Sequence, residues 1–339
     1  MNFKLWLDDL YRFVRFSASG ATMVLPVLGA VSVELRLSPG AMAKLVGMGA
    51  AFHVFAYVHN DLCDRELDRT QPLRVDYPLI QGRISPPQAG AVAALAVPAA
   101  FALQTTGMAS TIPLRPARLA LGLAVLALGA YNHWGKRVRW PILTDLIQAL
   151  GWTALLAAGA LQCGKPTRLT ALLAIYESLV IMLVNGVHGA LRDLANDRDR
   201  GAQTTAIMFG ATVNAHGTME VPLLMKIYAL SLQLCLLILP LWGASTNQMA
   251  LTPAAQRVAL GAVSLVVLLT GTLFGQGLRG KLRPVDLGML HLILLLSMPI
   301  ALVSPGMVPT SQGVLLTVHM VPLLANGMTW QALQRLGRH

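Results

Sequence analysis

Two acidic clusters interrupt an otherwise oily chain. The first lies in HNDLCDRELDR at 59–69, where Asn60, Asp61, Asp64, Glu66 and Asp68 follow a long apolar stretch. The second lies in LRDLANDRDRGAQTTAIMFG, which begins at Leu191 and carries Asp193 and Asp197. Each places aspartates about one helical turn apart, so their carboxylates share a face. Carboxylate oxygens are hard ligands suited to Mg²⁺, an ion that keeps waters and is commonly shared with substrate phosphates. Aspartates alone would repel a diphosphate; with Mg²⁺ between them they hold it. Basic residues lie in and between the clusters: Arg69, Arg74 and Arg83, then Lys136 and Arg137, then Arg198 and Arg200. Arginine grips phosphate oxygens through parallel hydrogen bonds, and lysine acts as a point charge. Metal and base contacts to a departing pyrophosphate promote ionisation to an allylic cation.

The elements that must present these groups are helices. His53, Tyr57, Asn60, Asp61, Asp64 and Asp68 fall along one helical stripe, and Glu66 falls off it as a solvated side chain. Asn185, His188 and Arg192 make a similar stripe that leads to Asp193 and Asp197. Polar groups at membrane depth are costly and face a bundle interior or a wet cavity. A diphosphate at the membrane surface with an apolar tunnel behind it describes an isoprenyl diphosphate.

Composition places these stripes in a membrane. The 339 residues are 55% hydrophobic and 12% charged, against roughly 25% charged in soluble domains. The mean hydropathy is +0.60. Apolar stretches near the length needed to cross a hydrocarbon core fall at roughly 14–35, 41–60, 88–107, 117–133, 142–161, 170–191, 222–243, 256–277, 285–304 and 313–332. The start, MNFKLWLDDLYR, reads as an amphipathic approach to the membrane and not as a cleavable signal. The net charge of +11 does not indicate nucleic acid. Most of the 26 Lys and Arg fall on one side of a ten-span chain, which puts both termini and both acidic loops in the cytoplasm. Cys63, Cys163 and Cys235 lack metal-site spacing and read as small apolar residues.

These residues resemble the UbiA-type intramembrane prenyltransferases. Asn60, Asp61, Asp64 and Asp68 match that family's NDxxDxxxD motif. Asp193, Asp197, Gly201, Thr204 and Thr205 resemble its DxxxDxxxGxxST motif. The continuation TTAIMFG is similar to the 4-hydroxybenzoate polyprenyltransferase branch. YPLIQGRIS at 77–85 resembles the family's RPLPSG loop, and YNHWGKRVRWP at 131–141 its Tyr…Lys-Arg segment. The resemblance implies an all-α, polytopic transmembrane bundle of nine to ten spans, with a central cavity capped by two Asp-rich cytoplasmic loops. The membrane domain that it implies covers 1–310; an additional membrane helix and cytoplasmic tail at 311–339 depart from the family pattern. The resemblance also implies Mg²⁺-dependent transfer of a prenyl group from a prenyl diphosphate to a small-molecule, commonly aromatic, acceptor. By position, Asp61, Asp64, Asp68, Asp193 and Asp197 would be metal ligands and Asn60 would join them at the diphosphate. Arg74, Lys136, Arg137 and Arg198 would hold the diphosphate, with Tyr131, Asp64 and Asp193 catalytic. Tyr77 and Gln81 depart from the family loop, Asn196 departs from its usual Gly or Asp, and these changes bear on the substrate.

Other polar residues admit two readings. His53 and His188 serve an acceptor or only bond between helices. Tyr57 and Tyr131 face an allylic cation with their rings or belong to the membrane belt. Asp145 is a functional intramembrane carboxylate or pairs with an Arg; Gln148 and Glu177 are weaker cases. His59 reads as interfacial, and His291 and His319 as packing groups. Three functions remain open: a prenyltransferase, a membrane terpene cyclase that captures the same cation intramolecularly, and a transporter or lipid-binding protein using the acids as a cation site.

Overall fold

The computed structural model of the protein describes residues 3–104, 113–214, 218–246, 251–278 and 283–336. Helices α1 (Phe3–Phe13), α2 (Phe16–Thr22) and α3 (Leu25–Val31) open the chain, followed by α4 (Pro39–Cys63) and the short α5 (Arg65–Asp68). Next come α6 (Pro86–Leu103), α7 (Arg115–Trp134), α8 (Pro141–Cys163) and α9 (Arg168–Leu183). A π-helical turn, Val184–Gly189, joins α9 to α10 (Ala190–Arg192). The second acidic segment then folds as α11 (Leu194–Asp199), α12 (Thr205–Met208) and an antiparallel pair, β1 (Thr212–Val213) with β2 (Met219–Glu220). Helices α13 (Leu223–Ser245), α14 (Pro253–Leu278), α15 (Pro284–Val303), α16 (Pro309–Leu324) and α17 (Gly327–Leu336) complete the bundle.

Local sequence sets where the helices start. Ser38 caps α4 by accepting from the Ala41 amide at 3.2 Å, with Pro39 next in line. Ser85 with Gln88 and Thr167 with Thr170 form capping boxes for α6 and α9. Small residues set how closely the helices approach. A side chain on Gly29 would collide with the Leu156 carbonyl, and one on Gly159 with Pro26, so α3 and α8 cross backbone to backbone. Gly20 meets His319 in the same way, which seats α16 on α2. Such contacts are the usual means of joining helices in lipid. Phe52, Trp152, Leu155 and Tyr176 are buried at the centre, and Tyr176 donates to the Leu295 carbonyl at 2.7 Å.

Eight described segments are long and apolar enough to cross a membrane. Helices α7 and α16 do not reach that measure; α16 has 16 residues. Three expected spans have other limits. The first begins at Phe3 and is broken twice, with Arg15 in the left-handed region (φ 48°) between α1 and α2. The stretch at 313–332 ends at Leu324 and resumes as the separate α17. The third span is helical to Leu103, and its expected end at 105–107 lies outside the described residues.

Candidate active site

The first acidic cluster divides its side chains between two directions. Helix α4 ends at Cys63, Asp64 caps it, and α5 carries the chain on to Asp68. Tyr57, Asn60, Asp64 and Asp68 line a cavity of about 140 Å³ at this end of the bundle. Asp61 is buried and points elsewhere: it forms a short ion pair with Arg15, whose guanidinium also donates to Asn60 Oδ1 at 3.3 Å. His53 is buried between Thr22 Oγ1 (2.7 Å from Nδ1) and the Val14 carbonyl (2.7 Å from Nε2). It bonds between helices.

The second cluster is shaped by turn chemistry that explains its motif. Gly201 has φ 68°, a conformation glycine adopts freely. It stops α11 with amide bonds from Ala202 to the Asp197 carbonyl (2.8 Å) and from Gly201 to Arg198 (3.1 Å), a Schellman ending. Thr204 then caps α12, and Thr205 donates to Asp145 Oδ2 at 2.7 Å. The Gly and both Thr positions are therefore structural supports for the two aspartates and the cavity wall.

The two clusters are tied directly to each other. Gln71 Nε2 donates to Asp193 Oδ1 at 2.7 Å, and Thr70 Oγ1 to Asn196 Oδ1 at 2.7 Å. Asn196 Nδ2 reaches the Leu67 carbonyl at 3.2 Å, and Arg200 Nε reaches Thr70 at 3.1 Å. Lys136 spans the gap, with Nζ 3.3 Å from Asp197 Oδ1. Asp64, Asp68, Asp193 and Asp197 consequently share one cavity with Arg15, Arg74, Lys136 and Arg192.

Close carboxylates in a partly dry site hold protons more tightly. Burial pushes Asp64 up to about 6, with Asp68 and Asp61 adding to the rise and Lys136 and Arg15 opposing it. Burial also raises Asp68 and Asp197. Asp193 moves the other way, because the Arg192 fork outweighs its burial; Arg192 donates to both its oxygens, at 2.8 and 2.7 Å. Burial would lower Lys136, yet Asp64, Asp197 and Asp193 raise it.

The donor chemistry fits Mg²⁺. The lining offers carboxylate and amide oxygens and no His or Cys among the described residues. In the absence of a bound ion, no three His, Cys, Asp or Glu among the described residues stand close enough to enclose one. An ion that retains waters and shares phosphate oxygens does not require a preformed protein cage. The lining also fits an anion beside it, since Arg74 Nη1 is buried without a hydrogen-bond partner.

Other expected residues fall both in and out of the cavity. Tyr131 lines it, its hydroxyl accepting from Asn185 Nδ2 at 2.9 Å. Arg137 instead bonds the carbonyls of His133 (2.8 Å) and Cys63 (3.3 Å), tying off two helix ends. Arg198 is exposed and outside the lining. Arg69 pairs with the exposed Glu66 at 3.0 Å, and Arg83 with Asp9 at 2.7 Å. Tyr77 lies under Arg74, 4.6 Å from ring centre to guanidinium, and Gln81 closes its own loop on the Val75 carbonyl at 2.6 Å. Among the described residues Asp145 has no Arg partner, and Thr205 supplies its hydrogen bond. His188 packs beside His291, and His319 joins Gly20 to Ser297. Sequence reasoning missed Arg15 and Gln71. Arg15 is preceded by an amphipathic helix and gave no motif; Gln71 lies just beyond the first motif.

Residues 23–270 match the model of the UbiA prenyltransferase family. The chain belongs to that family and is an integral, multi-pass membrane protein. Its fold is shared with solved structures of low sequence identity. An apo UbiA homolog from Aeropyrum pernix K1 is 17% identical with a TM-score of 0.62, covering 85% of this chain and 96% of that one. A UbiA homolog from Archaeoglobus fulgidus bound to GPP and Mg²⁺ is 17% identical with a TM-score of 0.58, covering 87% and 99%. A digeranylgeranylglyceryl phosphate synthase structure is 14% identical with a TM-score of 0.53, covering 96% and 99%. None of the curated proteins compared matches the sequence.

Proposed function

We propose that the protein transfers a prenyl group from a prenyl diphosphate to a small-molecule acceptor and releases pyrophosphate. The observation that carries this reading is the clasp between the two acidic segments over one cavity, with Arg74 Nη1 at hand, buried without a hydrogen bond and 3.9 Å from Asp61. Asp64, Asp68, Asp193 and Asp197 would hold Mg²⁺, which when bound neutralises the diphosphate and stabilises it as a leaving group. Asp61 supports the site indirectly by fixing Arg15. Arg74, Lys136 and Arg15 bind phosphate oxygens and orient the allylic carbon toward the interior. There Leu128, Ala56 and Trp152 form the apolar part of the wall.

The C–O bond of the allylic diphosphate breaks, and its electron pair leaves with pyrophosphate. Tyr57, Tyr131 and Trp152 line the cavity with aromatic rings for the cationic chain; an acceptor carbon supplies the electrons of the new bond and then gives up its proton to the released pyrophosphate. The acidic loops and both described ends of the chain lie on one side, with Tyr11 bonded to Ala325 at 3.2 Å and Arg335 to Asp286 at 2.7 Å. The excess of basic residues there supports reading it as the cytoplasmic side.

Membranes containing the protein, given geranyl, farnesyl or geranylgeranyl diphosphate with Mg²⁺ and a panel of aromatic acceptors, should yield a joined product. That yield should vanish with chelator. Conversion of the diphosphate to a cyclic hydrocarbon without acceptor would identify a terpene cyclase instead.

A further inference from the structure

Beneath the charged mouth, the cavity wall changes character. One face of α8 supplies Pro141, Thr144, Asp145, Gln148 and Trp152 to the lining, spaced as a helical stripe. Asp145 lies one turn inside the helix start and Gln148 about 4.5 Å of helical rise further in. Asp145 is 6% exposed, and its one hydrogen bond among the described residues comes from Thr205. No ion pair reaches it: Arg15 serves Asp61, Arg192 serves Asp193 and Lys136 serves Asp197. Gln148 Oε1 is buried with no partner.

Space beside these groups is kept open by backbone. A side chain on Gly186, in the π-helical turn, would come within 2.9 Å of Asp145 Oδ2 and 3.4 Å of the Tyr228 hydroxyl. That hydroxyl is also buried without a partner. The inner wall therefore presents hydrogen-bond acceptors that the protein leaves largely unfilled. A carboxylate can accept about four hydrogen bonds, and a buried acceptor left without a donor is destabilising. A ligand that donates hydrogen bonds recovers this loss; one that brings a second carboxylate is repelled.

We infer that Asp145 and Gln148 determine acceptor specificity, seating an uncharged ring through its hydroxyl groups in preference to an aromatic carboxylate. This rests on the transferase reading and narrows its acceptor to a phenol or enol. The hydroxyl donates to Asp145 or Gln148, and Trp152, one turn deeper, gives the ring an apolar face.

The test pairs hydroxylated rings with their methyl ethers, resorcinol against its dimethyl ether first, and sets benzoate beside them. In membranes with farnesyl diphosphate and Mg²⁺, kcat/KM for the phenol should exceed that for its ether by ~100-fold or more, as expected of a site built around a hydroxyl. Asp145→Asn and Gln148→Leu should shrink that ratio to within a few-fold, mainly through the acceptor KM. Calorimetry on metal-free protein in detergent should show resorcinol binding that the ether lacks and that Gln148→Leu weakens. Thermal stabilisation of each variant by farnesyl diphosphate with Mg²⁺ reports that it is folded. Equal use of phenol and ether, absence of hydroxyl-dependent binding, or wild-type discrimination in both variants would overturn the assignment. Product from benzoate alone leaves the transferase standing and removes this specificity. Acceptor-free cyclisation removes both.

Discussion

At the scale of single residues, burial and partnership separate side chains that the motif lists together. Asp61 and Asp64 are three residues apart, yet one is locked to Arg15 and the other faces the cavity. Arg15→Met would leave the buried Asp61 with only the more distant Arg74, 3.9 Å away, and breaking a buried pair costs up to about 3–5 kcal/mol. Thermal unfolding in detergent should show that loss, with Arg15→Met/Asp61→Asn recovering part of it; a single variant as stable as the parent would contradict the pairing. Arg74 is held more loosely. Its buried Nη1 makes no hydrogen bond and lies 3.9 Å from Asp61, so Arg74→Ala should raise the KM for prenyl diphosphate by roughly tenfold or more with a smaller loss of stability than Arg15→Met. An unchanged KM would take Arg74 out of the phosphate site.

Much of this residue pattern was legible because spacing and charge are properties of the sequence. Asp64, Asp68, Asp193 and Asp197 follow from helical periodicity and from what carboxylates do with a metal and phosphate, whereas Lys136 and Arg74 stand out from the other loop bases only through the family resemblance. Arg15 and Gln71 were not legible, since a contact across 46 residues, as between Arg15 and Asp61, has no local signature. Arg137 and Arg198 looked like phosphate ligands by composition, but their positions around helix ends turn them away from the lining.

At the scale of elements, helix crossings depend on glycines that the hydropathy pattern treats as filler. Gly159 and Gly29 let α8 and α3 touch through their backbones, whereas Gly261 on α14 has open space beside it. Gly159→Leu should therefore abolish monodisperse protein in detergent, because overpacking a close crossing costs about 1–3 kcal/mol or more. Gly261→Leu should elute as the parent does; equal tolerance at both sites would show that the α3–α8 crossing does not limit folding. The spans themselves could be read from apolar runs, but their interruptions could not. The left-handed Arg15, the π-helical turn at Val184–Gly189 and the stop after Leu324 arise from tertiary contacts.

At the scale of the whole molecule, apolar surface and charged end divide the work. Exposed leucines and isoleucines such as Leu223, Ile227, Leu230 and Leu268 clothe α13 and α14 for lipid. Phe3, Leu5 and Trp6 leave α1 with an exposed apolar edge at the charged end, in keeping with a helix lying in the interface. The bundle holds the two acidic segments in one clasp over the cavity, the arrangement on which the proposed cation and diphosphate site rests. Asp64→Asn or Asp193→Asn should leave that bundle folded and remove its chemistry.

The central claim is tested most directly by measuring Mg²⁺-dependent pyrophosphate release from farnesyl diphosphate with acceptor present, in membranes carrying the parent, Asp64→Asn or Asp193→Asn. The account predicts release by the parent and a loss of roughly 100-fold or more in each variant. Parent-like release by either variant would contradict the assignment of the two acidic segments to one diphosphate site.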